Sequence, residues 1–278
     1  MKKALTLLLV LMLSLGVFAA SASADNFTMV TLDDSKDFTV VGLVDDTEDM
    51  TVKGLTATWQ KVTIQNDHLI EWSTSDHTVA QFKDGFNYVN TVTGKDTVTV
   101  ALKGEGRATI TATYNGTISV SSYIVVEKST ATTSVSSISV EVDFSGTAND
   151  FTQSGLTVPL FSLDDVFGTG FDDGDVLKKD PSAMHALLYA LELENDRDGT
   201  DDITNPDWDW DWVSANVTVT SEGTFVTKIT PDTNDATTGW QYEVKPSSGS
   251  YADPGYAASI YELNASDSVK WEYKAWSW

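Results

Sequence analysis

The sequence predicts a mainly β chain of two domains, a β-sandwich followed by an α+β domain with one helix against an antiparallel sheet. Three observations lead there. Short Val/Ile/Thr/Phe runs bounded by Asp, Gly and Asn turns recur from Phe27 to Val126, the punctuation of a β domain. One stretch near residues 182–191 has helical spacing of apolar residues. Cysteine is absent from all 278 residues, so apolar packing or bound ions must hold both cores without disulfides.

In the first half, residues 38–43, 69–72, 97–102, 108–114 and 118–126 read as strands. Thr109, Thr111 and Thr113 fall on one face and Ile110, Ala112 and Tyr114 on the other, the period of a sheet with one buried side. Asn115-Gly116 predicts a tight hairpin, because both residues tolerate positive φ. Residues 128–137 are small, polar and without period, which predicts a linker between domains spanning 25–127 and 138–278. The second half opens on a strand carrying Ile138, Val140, Val142 and Phe144 on one face. Its helix is expected to start after Asp180 as cap and Pro181 at the first turn, with Met184, Leu187, Leu188 and Leu191 as the stripe against a sheet. Further strands are expected at 214–220, 224–229, 240–245, 257–261 and 268–273.

Residues 1–24 read as a signal peptide: Lys2 and Lys3, an apolar run over 4–18, then Ala22-Ser23-Ala24 as the small-residue cleavage site. Beyond it no stretch reaches the roughly 20 apolar residues that span a bilayer, which predicts a secreted or surface-associated protein with no membrane insertion. The formal charge is −24, with 41 acidic against 17 basic residues. Such a chain repels phosphate, and nucleic acid is excluded as a partner class.

Two family resemblances add to this. Ile70-Glu71-Trp72-Ser73-Thr74-Ser75-Asp76 with Val79-Ala80-Gln81-Phe82, then Gly106-Arg107-Ala108-Thr109-Ile110-Thr111-Ala112, resemble the bacterial immunoglobulin-like (Ig-like) domain of group 2. The resemblance covers residues 30–126 and departs from the family pattern over 45–67 and 82–103. It implies a spacer or adhesive module with Trp72 as the core aromatic. Residues 137–275 resemble the transcobalamin-like C-terminal domain, through the short helix, Gly239-Trp240-x-Tyr242 and Tyr261-x-Leu263-x-x-x-Asp267-x-Val269-x-Trp271-x-Tyr273. That resemblance implies a binding module. In the animal cobalamin carriers a separate helical domain closes the other face of the corrinoid, and it has no counterpart here. The ligand class therefore stays open among a corrinoid or other small molecule, a glycan and a surface protein.

The candidate ligand residues are aromatic. In Asp207-Trp208-Asp209-Trp210-Asp211-Trp212 an extended strand would put Trp208, Trp210 and Trp212 on one face, as a binding platform or as core. Trp240, Tyr251 and Tyr256, the last two framing a Gly/Ser/Pro loop, complete the expected site. Asp196, Asp198, Asp201 and Asp202, with Gly199 between them, partly echo a calcium loop. Residues 164–175 form a second acidic, glycine-containing stretch. Against catalysis, His68, His77 and His185 are scattered, and no G-x-S-x-G, P-loop or H-E-x-x-H occurs. The sequence thus points to a non-enzymatic binding or adhesion module. The alternative is a structural subunit of a surface layer, filament or matrix, self-assembling through sheet edges and aromatic surfaces.

Overall fold

The computed structural model describes residues 27–32, 39–171, 176–195, 209–220 and 225–276. It is mainly β, with mixed sheets and few helices. In the first half the described strands are β1 (Met29–Leu32), β2 (Thr39–Leu43), β3 (Thr47–Leu55), β4 (Lys61–Val62), β5 (Ile70–Thr74), β6 (Ala80–Asp84), β7 (Asn87–Val89), β8 (Thr91–Thr93), β9 (Thr97–Leu102), β10 (Gly106–Tyr114) and β11 (Ile118–Glu127). They form two sheets, ordered β1-β3-β9-β6-β7 with β4 on β3, and β2-β11-β10-β5-β8. Residues 45–67 supply β3 and β4, and residues 82–103 supply β7, β8 and β9. The β2–β11 pair is parallel.

One core joins these sheets. Along β10 every second residue from Ala108 to Tyr114 is buried, as the alternation predicts. Trp72 on β5 is fully buried and meets Phe82 on β6 edge to face at 6.4 Å between ring centroids, so the contact crosses from one sheet to the other. Its Nε1–H donates to the Lys95 carbonyl at 2.9 Å, which satisfies the polar end of a ring that burial would otherwise penalise. Asn115 and Gly116 both take positive φ, 50° and 66°, and close the predicted hairpin between β10 and β11. Gly54 has a different role: a Cβ there would fall 2.3 Å from Cδ1 of Phe27, so its hydrogen lets that ring lie flat on the strand.

The second half contains β12 (Ser134–Asp143), β13 (Phe151–Pro159), α1 (Leu163–Phe167), α2 (Ala183–Asn195), α3 (Asp211–Asn216), β14 (Val217–Val219), β15 (Val226–Ile229), β16 (Asp232–Thr233), β17 (Thr238–Lys245) and β18 (Ser268–Ala275). The main sheet runs β13-β12-β18-β17, and β14-β15-β16 form a small one.

Several expectations need correction here. The main sheet is mixed rather than antiparallel, since β12 and β18 pair in parallel. Three α-helices are described instead of one. Residues 258–260, expected as strand, form a 3-10 turn. The linker is shorter than its composition suggests, because residues 134–137 already belong to β12. Two register shifts in the β12–β13 pairing, between Val135 and Ile138 and between Ile138 and Val140, explain why no period was visible. Bulges insert unpaired residues and break the alternation.

The helix α2 is not a surface helix with one apolar stripe. All residues from Ala183 to Glu192 are buried, so it is enclosed on every side. Its cap is Ser182 rather than Asp180. Ser182 Oγ accepts the His185 N–H at 3.4 Å, and the Ser182 N–H donates to His185 Nδ1 at 3.1 Å. That is a capping box with histidine in place of the usual Glu. His185 Nε2 lies 2.9 Å from the Phe161 carbonyl. A carbonyl only accepts, so Nε2 carries the proton and Nδ1 is the acceptor.

Candidate functional site

Among the described residues, a densely bonded polar cluster lies where the two halves meet. The strand directions place the first residues of β10 and the last of β11 at one end of the first half, against residues 177–182 and 255–262. A small apolar contact forms first: Val125, Leu177 and Ile260 are buried together, with Val41, Tyr256 and Ala257 packed around them.

Arg107 closes over this contact from β10. One guanidinium nitrogen donates to the Tyr256 hydroxyl, the other to the Ile260 carbonyl at 2.7 Å. The same guanidinium sits 4.4 Å from the Tyr256 ring centroid, a cation–π contact. Tyr256 stacks on Tyr261 at 5.9 Å and meets Tyr123 of β11 edge to face at 5.9 Å. Tyr123 in turn donates to the Gly255 carbonyl at 3.2 Å. Burial pushes the Tyr256 hydroxyl pKa up, against the lowering influence of Arg107. Burial also pushes Tyr261 up to about 12, so these phenols stay neutral across the ordinary pH range.

A second set of ties follows the chain crossing. The buried Glu127 carboxylate accepts the Lys178 and Lys179 N–H groups, both at 2.7 Å. Burial raises its pKa, opposed by those two bonds. Lys128 bridges Asp180 at 3.3 Å and Glu262 at 2.5 Å, and the Glu262 bond is the main cause of its raised pKa. The Thr132 N–H donates to the Lys179 carbonyl at 2.6 Å, so the short connection is itself pinned. The crevice bounded by Arg107, Glu127, Lys128, Leu177, Asp180 and Glu262 has a volume of about 30 Å³. That is water-sized, far below the roughly 300 Å³ where small-molecule sites begin.

The expected site residues are not brought together. Tyr256 is in the junction, engaged by Arg107. Trp240 is buried, edge-to-face with Phe144 at 5.1 Å and with Tyr273 at 5.5 Å. Trp210 is half-buried against Phe161 at 4.5 Å, and Trp212 is also half-buried against the core. Residues 211–216 are helical, which corrects the extended strand that a row of indoles requires. The reason lies in α2: the buried Glu192 carboxylate accepts the Trp212 and Val213 N–H groups at 3.0 and 2.7 Å. It thereby satisfies the first-turn donors of α3. Tyr251 is exposed, its ring 5.9 Å from Lys245 Nζ. Trp208, Asp196, Asp198, Asp201 and Asp202 lie outside the described residues. Among the described residues no group of three or more His, Asp or Glu is placed to hold a metal ion. None of the described helices is long and apolar enough to cross a membrane.

Sequence reasoning missed Arg107 as a tie. Its partners lie about 150 positions away, and no local pattern marks so distant a contact. The available signal was a single cation, Arg107, opening a strand in an acidic chain.

No family model matches this chain, and no curated protein matches it. Among solved structures, domains 4 and 5 of the S-layer protein SbsC are similar at 18% identity and TM-score 0.27, over 36% of this chain and 51% of that one. Domains 1–6 of the same protein are similar at 16% identity and TM-score 0.27, over 46% of this chain and 17% of that one. The chain thus spans about half of the shorter of those structures. Overlaps at this score carry no argument about fold or activity.

Proposed function

We propose that this is a non-catalytic, cell-surface-associated structural protein, a subunit of a surface layer, filament or matrix. The junction carries the reading. The chain commits Arg107, Tyr123, Glu127, Lys128, Asp180, Tyr256 and Glu262 to fixing one half on the other. Two β domains locked in one orientation transmit position along an assembly, whereas default domain pairs move relative to one another. The first half serves as an Ig-like spacer. The second half, with its transcobalamin-like sequence features, uses Trp210, Trp212 and Trp240 as packing residues rather than as a ligand platform.

The test is assembly of the chain lacking residues 1–24, followed by light scattering and negative-stain electron microscopy at rising protein concentration, with and without calcium. Growth into ordered oligomers, sheets or fibres supports the structural reading. A strictly monomeric chain at the highest soluble concentration in both conditions overturns it.

A further inference from the structure

The second half leaves one long sheet edge open. A strand at the end of a sheet presents a row of backbone N–H and C=O groups, which proteins ordinarily keep short, charged or covered. Most end strands here follow that rule. In the first half β1, β2, β7 and β8, and in the small sheet β14 and β16, have two to five residues. The longer β17 is covered. Val244 exchanges two backbone bonds with Ala252, at 2.9 and 3.0 Å, and the Trp240 N–H donates to Asn234 Oδ1 at 2.9 Å. It also carries Glu243 and Lys245.

The other end strand of the main sheet, β13, has none of these protections. It runs for nine residues beside β12. Among the described residues, no backbone hydrogen bond joins 151–159 to anything but β12. No side chain from Phe151 to Leu163 is charged, in a chain where 21% of residues are, so the edge lacks the lysines that block pairing. A register shift opposite Ser139 makes a bulge at Ser154-Gly155, with Gly155 at φ of 74°. The bulge bends the edge without covering it: Thr152, Ser154, Gly155 and Thr157 are exposed.

Charge and backbone chemistry together indicate what fits. Two copies of formal charge −24 repel one another over most of their surface. They approach at least cost where neither presents a charge, and β13 is such a place. Two identical strands laid antiparallel are also self-complementary, because the donors of each meet the acceptors of the other.

We propose that β13 pairs antiparallel with β13 of a second copy of this chain across a two-fold axis, joining two four-stranded sheets into one. The proposal rests on the structural reading above and specifies one of its contacts. A two-fold contact uses the same patch twice and closes at two copies. The dimer is therefore the building block, and other surfaces extend it into a filament or layer.

Hydrogen exchange of the chain lacking residues 1–24, read at low and high protein concentration beside sedimentation velocity, tests this. Amides within 152–157 that face away from β12 should exchange freely in dilute solution and gain protection several-fold as dimers form. Thr152 and Thr157 are exposed, so charging them leaves the core intact. A Thr152→Lys, Thr157→Lys chain should lose the dimer, and so should a Thr152→Glu, Thr157→Glu chain, because like charges meet across the axis. Mixing the two variants should restore a dimer holding one copy of each, which a misfolded variant would not give. Edge amides protected equally at every concentration would mean that the chain covers its own edge, and would overturn the proposal. A dimer indifferent to both charged variants would also overturn it. If scattering shows ordered assembly while the edge amides stay unprotected, this contact fails and the structural reading stands. If the wild-type chain stays monomeric at its highest soluble concentration, both fail.

Discussion

Replacing Arg107 by alanine should open the junction while leaving both cores folded. The guanidinium gives two hydrogen bonds, to the Tyr256 hydroxyl and the Ile260 carbonyl, and covers the Tyr256 ring. Bonds involving a charged group contribute about 1.5–3 kcal/mol each, and a cation–π contact about 0.5–2 kcal/mol. Arg107 is only half-buried, and release of its side chain returns up to about 2 kcal/mol of rotamer entropy. Water also recovers part of the exposed bonds. The net cost is about 2–3 kcal/mol, roughly a 30- to 150-fold rise in the open population. Native-state hydrogen exchange reads this at named amides. Lys178 and Lys179, bonded to Glu127, and Leu177, bonded to the Ser259 carbonyl at 3.0 Å, should lose about that much protection. Amides of Ile110 and Ala112, inside the β10–β11 and β10–β5 ladders, should not change. Arg107→Lys keeps the charge and loses the two-pronged fork, so it should recover less than half of the effect. Protection at the junction altered by less than about threefold would refute this local-opening estimate, as would equal loss at Ile110.

Three other outcomes follow from the same contacts. Trp72→Ala removes a fully buried indole and its bond to the Lys95 carbonyl, and should cost about 3–5 kcal/mol in denaturant unfolding of the first half. Glu192→Ala leaves the Trp212 and Val213 N–H groups without their carboxylate. It should cost about 2–4 kcal/mol, with loss of exchange protection confined first to α3 and α2. Glu127 governs a pH effect. Burial raises its folded-state pKa above the ordinary 4.5, so the native state holds its proton more tightly than the unfolded chain. That contribution is fully present below about 4.5 and is lost as pH rises through the folded value. Glu127→Gln, whose amide oxygen can still accept from Lys178 and Lys179, should flatten the fall in Tm between about pH 4 and pH 7. An unchanged slope would sink that assignment.

Much of the β framework was legible because one buried face enforces a period of two. Ile110, Ala112 and Tyr114 on β10 alternate with threonines, and Asn115-Gly116 states its own turn. What was not legible involved contacts that leave no local period. The bulged start of β12 looks like a linker because Ser137, at φ of 63°, and the register shifts break the alternation. The parallel β12–β18 pair joins segments more than 120 positions apart, and strand composition does not encode direction. The stretch before α3 alternates Asp and Trp as a strand would, yet a carboxylate from α2 draws the following residues into a helical turn. Tyr256 was legible as a functional aromatic, but its partner is the chain's own Arg107. Sequence pattern finds faces and turns, and long-range electrostatic pairing decides what those faces meet.

A structural role of the kind proposed requires the two halves to be one fixed unit. The direct test uses the cysteine-free chain with spin labels at Thr117→Cys, on the exposed β10–β11 turn, and at Ala236→Cys, beyond β16. Pulsed dipolar spectroscopy then gives the distance distribution between the two ends. A single narrow distribution in the wild-type background, broadened by Arg107→Ala, is the predicted result. A broad distribution in the wild-type background, unchanged by Arg107→Ala, would contradict the claim that the junction locks the halves together.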